Sequence, residues 1–300
     1  MMCDLIEKEK TAIQRLKCFE PDNDSYHVCY SGGKDSDVLR ILCQLANVRH
    51  ELHYNLVTAD APETVQYIKS IGSVSIDKAR YSDGRHKTIF NLIESKMMPP
   101  TRKHRFCCSE LKECGGKGKL KVIGVRWSES LSRSENGALL KIIGKPKTVK
   151  KYLESNIIDY DVTKQGGVVM NYDNSELRRV TEYCYRTTST MISPIIDWSN
   201  DDVWQFLHYY GCRSNPLYQC GFSRVGCIGC PKAGSKTMKY EFSLYPKFRS
   251  NYIRAFDRML KVRIANNKPT SWNSGLDVYR WWVGDNPDQL CFDGFDVSEL

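Results

Sequence analysis

Six residues, Ser31-Gly32-Gly33-Lys34-Asp35-Ser36, interrupt an apolar run and are followed at once by a helical pattern. Adjacent glycines weaken any regular element they sit in, so this turn is read as serving something that it holds. Gly32 and Gly33 open torsions closed to other residues and let an anion approach the main chain. The N–H groups of the turn and of the helix start then point at that anion. Lys34 adds a charge, and Ser31 and Ser36 add hydroxyls. The combination predicts a phosphate cradle. It is not a Walker A loop, because the G-x-x-x-x-G-K spacing is absent. A tight turn with a solvated lysine is the plainer alternative, and it leaves the agreement of strand, motif and helix unexplained.

Cysteines form the second chemical feature. Cys107 and Cys108 are adjacent, and Cys227 and Cys230 form a C-x-x-C pair, which suits zinc or an iron–sulfur cluster. A structural zinc site uses two spaced pairs, and an adjacent pair makes such a knuckle poorly. A cubane cluster spreads its iron corners and accepts neighbouring thiolates more readily. Cys220 is a rival fourth ligand, and zinc and plain buried thiols stay open. Of the 13 cysteines, Cys3, Cys18, Cys29, Cys43, Cys114, Cys184 and Cys212 read as ordinary thiols. The N-terminal residues hold no apolar signal region, so a cytoplasmic protein is expected and disulfides are a poor account of the cysteines.

These groups need elements to position them. Residues 1–25 read as a polar, partly helical lead-in and residues 26–30 as a strand. Val38, Leu39, Ile41, Leu42 and Leu45 mark a helix over 35–45. A second strand is predicted over 51–58, a helix over 62–71 with Pro62 in its first turn, and a third strand over 121–126. Residues 199–211 read as a helix with a Ser or Asn cap and a terminal Gly. Strands alternating with helices predict an α/β fold with a parallel sheet covered on both faces. No apolar run reaches the ~20 residues of a membrane span.

The glycine turn resembles the pyrophosphate-binding loop of the adenine nucleotide α-hydrolases, the N-type ATP pyrophosphatases, which cut ATP between its α- and β-phosphates. Three further stretches resemble the phosphoadenylyl-sulfate reductase branch of that superfamily: Thr-Ala-Asp-Ala-Pro-Glu-Thr from Thr58, Gly-Val-Arg-Trp-Ser-Glu-Ser-Leu-Ser-Arg from Gly124, and Pro-Ile-Ile-Asp-Trp followed by Asp-Val-Trp from Pro194. The resemblance covers roughly residues 25–235. It implies a Rossmann-like or flavodoxin-like core, and it implies binding of ATP or a sulfonucleotide by Ser31, Gly32, Gly33, Lys34, Asp35 and Ser36. In its terms Lys34, Asp35, Arg126 and Arg133 carry catalysis, the arginines clamping phosphate or sulfate. Asp60 and Glu63 would aid Mg²⁺ or ribose binding. The paired cysteines resemble the [4Fe–4S] site of adenylyl-sulfate reductases, which implies Cys107, Cys108, Cys227 and Cys230 as ligands. One departure stands out. The reductases end in E-C-G-x-H, whereas Cys291 here has no preceding Glu, no following Gly and no His.

The intact loop resembles that of members which do cut ATP, including tRNA thiolases and DNA phosphorothioation enzymes. It therefore implies an ATP-dependent enzyme that adenylates an acceptor and transfers sulfur carried by the cluster or a persulfide. The alternatives are a sulfonucleotide reductase with a diverged thiol and a non-catalytic nucleotide-binding sensor. The formal net charge of +9 favours a polyanionic partner. Lys141, Lys145, Lys147, Lys150 and Lys151 within a loosely patterned insertion, and the aromatics Trp281 and Trp282, suit a nucleic acid, DNA or tRNA. A sulfur-donor protein is a further expected partner. The domains are expected as 1–235 for the nucleotide-binding domain, with the insertion at about 134–190, and 236–300 for a helical, aromatic-rich extension.

Overall fold

The computed structural model describes residues 2–129, 160–162, 168–170, 181–184, 189–268 and 270–284. The described residues fall into two compact units. One draws on Met1–Leu56, Ala61–Lys78 and Lys112–Val225, the other on Val57–Asp60, Ala79–Leu111 and Gly226–Leu300.

The first unit is built on a six-stranded sheet. Its strands are β1 (Tyr26–Cys29), β2 (His50–Asn55), β3 (Val74–Asp77), β4 (Lys121–Val122), β7 (Thr181–Cys184) and β8 (Ser189–Ile192), in the order β3-β2-β1-β4-β8-β7. All neighbours run parallel except β7, which returns antiparallel along β8. β5 (Tyr160–Val162) and β6 (Val168–Met170) form a separate antiparallel pair. The expected parallel α/β architecture is what the structure has. Some β content is expected of the insertion, but its pairing as an antiparallel edge, and the short strand β3, went unread in the sequence.

Parallel strands need helical crossovers. Here α2 (Lys34–Ala46) joins β1 to β2, and α3 (Pro62–Ile71) joins β2 to β3. The core lies where Val28 of β1 meets Leu39 and Leu42 of α2, together with Trp198 and Phe206. Helix α1 (Met2–Cys18) buries Leu16 into that core and packs on α2. Helix α5 (Asn200–Tyr209) packs on α2 as well, and a reciprocal Ser199–Asp202 capping box starts it.

The chain steps outward from β1 through β2 to β3, then returns to place β4 on the other side of β1. The strand order therefore reverses between β1 and β4. In an open α/β sheet the crevice at the carboxyl ends of two such strands is where ligands bind. The glycine turn follows β1, and Gly124 to Arg126 follow β4.

The second unit is helical: α4 (Ile89–Lys96), α6 (Ser235–Leu244), α7 (Pro246–Ala265) and α8 (Gly275–Trp282). α7 packs against both α4 and α8. Gly275 is required where α8 meets α7, because a Cβ there would lie 2.3 Å from the Ile253 carbonyl oxygen. Among the described residues no helix is long and apolar enough to cross a membrane.

Candidate functional site

In the first unit the six-residue turn runs from the end of β1 into α2. Gly32 has φ +71°, a conformation that favours glycine, and a Cβ on it would meet Ile68 Cγ1 at 2.9 Å. Gly33 takes the N-cap position of α2 with no side chain to satisfy the helix's first amides. The Ser36 hydroxyl donates to the Gly33 carbonyl at 2.7 Å, and Ser31 Oγ lies 3.4 Å from Ser36 Oγ. The turn is thus tied by its own hydroxyls, and Lys34 is largely buried behind it.

A shared carboxylate organises the cations. Lys34 Nζ lies 3.3 Å from Asp35 Oδ2, and Arg126 Nε donates to Asp35 Oδ1 at 2.8 Å. Arg126 is buried, and its Nη1 donates to Ser128 Oγ at 2.8 Å and to the Trp198 carbonyl at 3.3 Å. Gly124 lets this segment pass over α2, since a Cβ there would sit 3.0 Å from Asp35 Cβ. Lys34, Asp35 and Arg126 therefore come together at the reversal between β1 and β4. Arg133 and the five insertion lysines lie outside the described residues. Glu63 stands in the first turn of α3 in the same unit.

Two residues that sequence reasoning missed complete the turn. Asn215 is fully buried, and its Nδ2 donates to the Gly32 carbonyl and to Thr64 Oγ1, both at 3.1 Å. Tyr218, on the short turn Pro216–Tyr218, accepts the Lys34 backbone N–H at 2.9 Å. The stretch Asn215 to Pro231 resembles a cluster-bearing segment, and nothing in that resemblance ties Asn215 or Tyr218 to the glycine turn.

The second unit gathers the cysteines. Cys107 shares a hydrogen bond with Cys108, and burial together with the nearby Cys108, Cys227 and Cys230 raises its thiol pKa further. The Cys227 thiol also faces Asp60 Oδ1 at 3.9 Å, while Asp60 Oδ2 accepts the Val57 N–H at 2.9 Å. Asp60 is thus placed beside Cys227 in this unit. Cys220 is exposed and belongs to the first unit. Among the described residues no group of three or more His, Cys, Asp or Glu side chains is set, as it stands, to hold a metal ion. The donor set is nonetheless all thiol, the class that zinc and iron–sulfur clusters take.

The C-x-x-C turn is held at its middle peptide from both sides. Glu241 Oε2 accepts the Gly229 N–H at 2.7 Å, and the Tyr252 hydroxyl donates to the Ile228 carbonyl at 3.2 Å. The Ile228 N–H donates to Ala59 O at 2.8 Å. Burial raises the Glu241 carboxyl pKa, partly offset by the Gly229 hydrogen bond. Gly229 is obligatory here, with φ +71° and a virtual Cβ 2.4 Å from Phe242 Cζ and 3.1 Å from Trp282. Trp282, for which core packing is the plainer reading and nucleic-acid contact the sharper one, is buried at 8% relative exposure, and its indole N–H donates to Pro100 O at 2.7 Å. It walls the cysteine turn with Phe242 and Tyr252. Trp281, at 37%, does reach solvent and packs at a tilt against Trp272, with ring centroids 5.1 Å apart. Cys291 lies outside the described residues.

The family model of the phosphoadenosine phosphosulfate reductase domain matches residues 25–233. An uncharacterised protein of Methanocaldococcus jannaschii is 24% identical over 267 residues, which is 85% of this chain and 54% of that protein. This chain therefore spans about half the length of that relative. An adenosine 5'-phosphosulfate reductase of Allochromatium vinosum is 38% identical over 42 residues, 14% of this chain and 16% of that enzyme. Among solved structures, the phosphoadenylyl-sulfate reductase of Candida auris in its phosphate complex has a TM-score of 0.37 at 13% identity, covering 74% of this chain and 93% of that one.

Proposed function

The chain belongs to the phosphoadenosine phosphosulfate reductase domain family, matched over residues 25–233, and from that premise we propose that it is an ATP-dependent sulfur-transfer enzyme. The turn Ser31 to Ser36 cradles the β- and γ-phosphates. Lys34 and Arg126, both oriented by Asp35, stabilise charge as it develops on the leaving pyrophosphate. An acceptor oxygen attacks the α-phosphorus, the bond from that phosphorus to the bridging oxygen breaks, and pyrophosphate leaves. Sulfide-level sulfur then displaces AMP from the adenylated acceptor, a substitution that needs no added oxidant. Mg²⁺ on the phosphates, with Glu63 as its candidate carboxylate, and Arg133 as a second oxyanion clamp complete this assignment.

Cys107, Cys108, Cys227 and Cys230 would hold a [4Fe–4S] cluster. Such a cluster would supply sulfur ligation or electron transfer. The net charge of +9 supports DNA or tRNA as the acceptor, with a separate sulfur-donor protein.

The single observation that carries the reading is the turn itself. Gly32 sits at positive φ with no space for a Cβ, Gly33 starts a helix without a capping side chain of its own, and Lys34 and Arg126 converge on one carboxylate. The paired cysteines favour a second reading, a sulfonucleotide reductase.

The test is an incubation of anaerobically purified protein with ATP, Mg²⁺ and nucleic acid. Nucleic-acid-dependent pyrophosphate release is expected. Sulfite released instead from adenylyl sulfate or its 3'-phospho form, with a thiol reductant, would make the protein a reductase. ATP bound without turnover would make it a sensor.

A further inference from the structure

The Tyr218 hydroxyl occupies a place in the turn that no motif assigned to it. It accepts the backbone N–H of Lys34, the first residue of α2, at 2.9 Å. Burial pushes its pKa up to about 12, so the hydroxyl keeps its proton at neutral pH. No hydrogen bond made by that proton is found among the described residues. It sits 3.3 Å from where a Cβ on Gly33 would be, so the phenol faces the glycine edge of the turn.

The phenol is fixed to the turn that it faces. Asn215, three residues earlier, is buried and bonded to the Gly32 carbonyl, and its Oδ1 accepts the Leu217 N–H at 3.1 Å. The Tyr218 ring packs edge-on against Trp204 at 5.0 Å. A side chain that merely held the place of a phosphate would have to swing away when one arrived. Tyr218 is carried by a segment bonded to the glycine turn, so it travels with the cradle.

We propose that Tyr218 is a phosphate-binding residue of this cradle, its O–H donating to a terminal phosphate oxygen of the bound nucleotide. The Lys34 amide that donates to the phenol polarises its O–H and strengthens it as a donor. The inference rests on the reading of the turn as a polyphosphate site. It adds a donor that distinguishes a polyphosphate from a nucleoside monophosphate.

Calorimetric titration of the full chain with ATP, inorganic pyrophosphate and AMP tests this. Tyr218→Phe keeps the ring and its Trp204 contact and removes only the hydroxyl. We expect about tenfold weaker binding of ATP and of pyrophosphate, with AMP affinity changed less than twofold. Trp204 fluorescence should respond to pyrophosphate in the wild type, and less so in the variant at equal occupancy. Unchanged or tighter ATP binding by Tyr218→Phe would overturn the proposal and mark the phenol as a placeholder. Equal losses for ATP and AMP would overturn it too, since they report a disturbed fold. If the wild type bound neither ATP nor pyrophosphate, the polyphosphate reading would fall and this proposal with it. Wild-type binding retained alongside a silent variant removes Tyr218 alone.

Discussion

Lys34 and Arg126 converge on one carboxylate, so the turn holds two cations and one anion before any ligand arrives. A polyphosphate would add acceptors without removing Asp35, and Lys34 would move least because it is already buried. Lys34→Ala should weaken ATP binding by at least tenfold, since a hydrogen bond to a charged group is worth ~1.5–3 kcal/mol. Gly33→Val should do the same by filling the face of the turn, where Tyr218 Oη is 3.3 Å from a Cβ. Unchanged titration curves for both variants would remove the cradle. A different residue sets a pH dependence. His27 is buried and stacked on His53 at 3.9 Å, and burial lowers its pKa from about 6.5 to about 4. The folded chain therefore holds His27 neutral over a range in which the unfolded chain binds a proton. Protons favour unfolding, so stability from this group is lost as pH falls from about 6.5 toward about 4. Urea midpoints at pH 7 and pH 4.5 should differ less in His27→Gln than in the wild type. The glycines of the turn were readable because local torsion demands glycine. Asn215 and Tyr218 were not, because they arrive from more than 180 residues away through packing.

The peptide between Ile228 and Gly229 shows how an element holds chemistry. Its carbonyl and its amide are each bonded to a different helix, Tyr252 on α7 and Glu241 on α6. Glu241→Ala leaves a buried N–H without its acceptor, at a cost of about 1–3 kcal/mol. Tyr252→Phe should cost about 1 kcal/mol, and Glu241→Gln, which keeps an oxygen, less than Glu241→Ala. Thermal melts read the cost. Alkylation of Cys227 and Cys230 should speed up in Glu241→Ala as the turn loosens, and an unchanged alkylation rate would refute the clamp. For the thiols themselves, anaerobically purified protein should absorb broadly near 400 nm, and the double change Cys227→Ser, Cys230→Ser should bleach it. A colourless protein with stoichiometric zinc would exclude the cluster. The elements were legible to different degrees. The apolar spacing of α2 and the Pro62 start of α3 gave boundaries within a residue or two of Lys34–Ala46 and Pro62–Ile71. The strand expected over 121–126 closes after Lys121–Val122, because the chain turns there to bring Arg126 to Asp35. β3 was missed because its residues are half-exposed at a sheet edge and carry a weak alternation. Glu241 was unreadable, a single acid on a polar helix whose burial depends on α7 and α8.

At the scale of the whole molecule, the chain builds its second compact unit from three separated stretches, with the first unit's segments between them. The stretch Ala79–Leu111 contributes α4, a helix of 8 residues. So short a helix does not hold in water by itself, and it must be stabilised by what it packs against. That partner is α7. Phe90 meets Tyr252 edge-on at 5.3 Å, Arg258 Nε lies 3.1 Å from Glu94, and Arg263 donates to the Met97 carbonyl at 2.8 Å. The first unit's core of Val28, Leu39, Leu42, Trp198 and Phe206 draws on none of these residues. A chain ended after residue 233 should therefore lose the second unit's cooperativity and keep the first's. Amide hydrogen exchange measures this directly. The α4 amides should lose their protection by orders of magnitude, while those of β1, β2 and α2 stay slow. Cys107 and Cys108 follow α4 in the same stretch and should alkylate faster in the shortened chain. If the α4 amides remained as slow as in the full chain, α7 would not be what holds that helix. The cysteine turn and the Cys107–Cys108 pair would then have to be organised independently of each other.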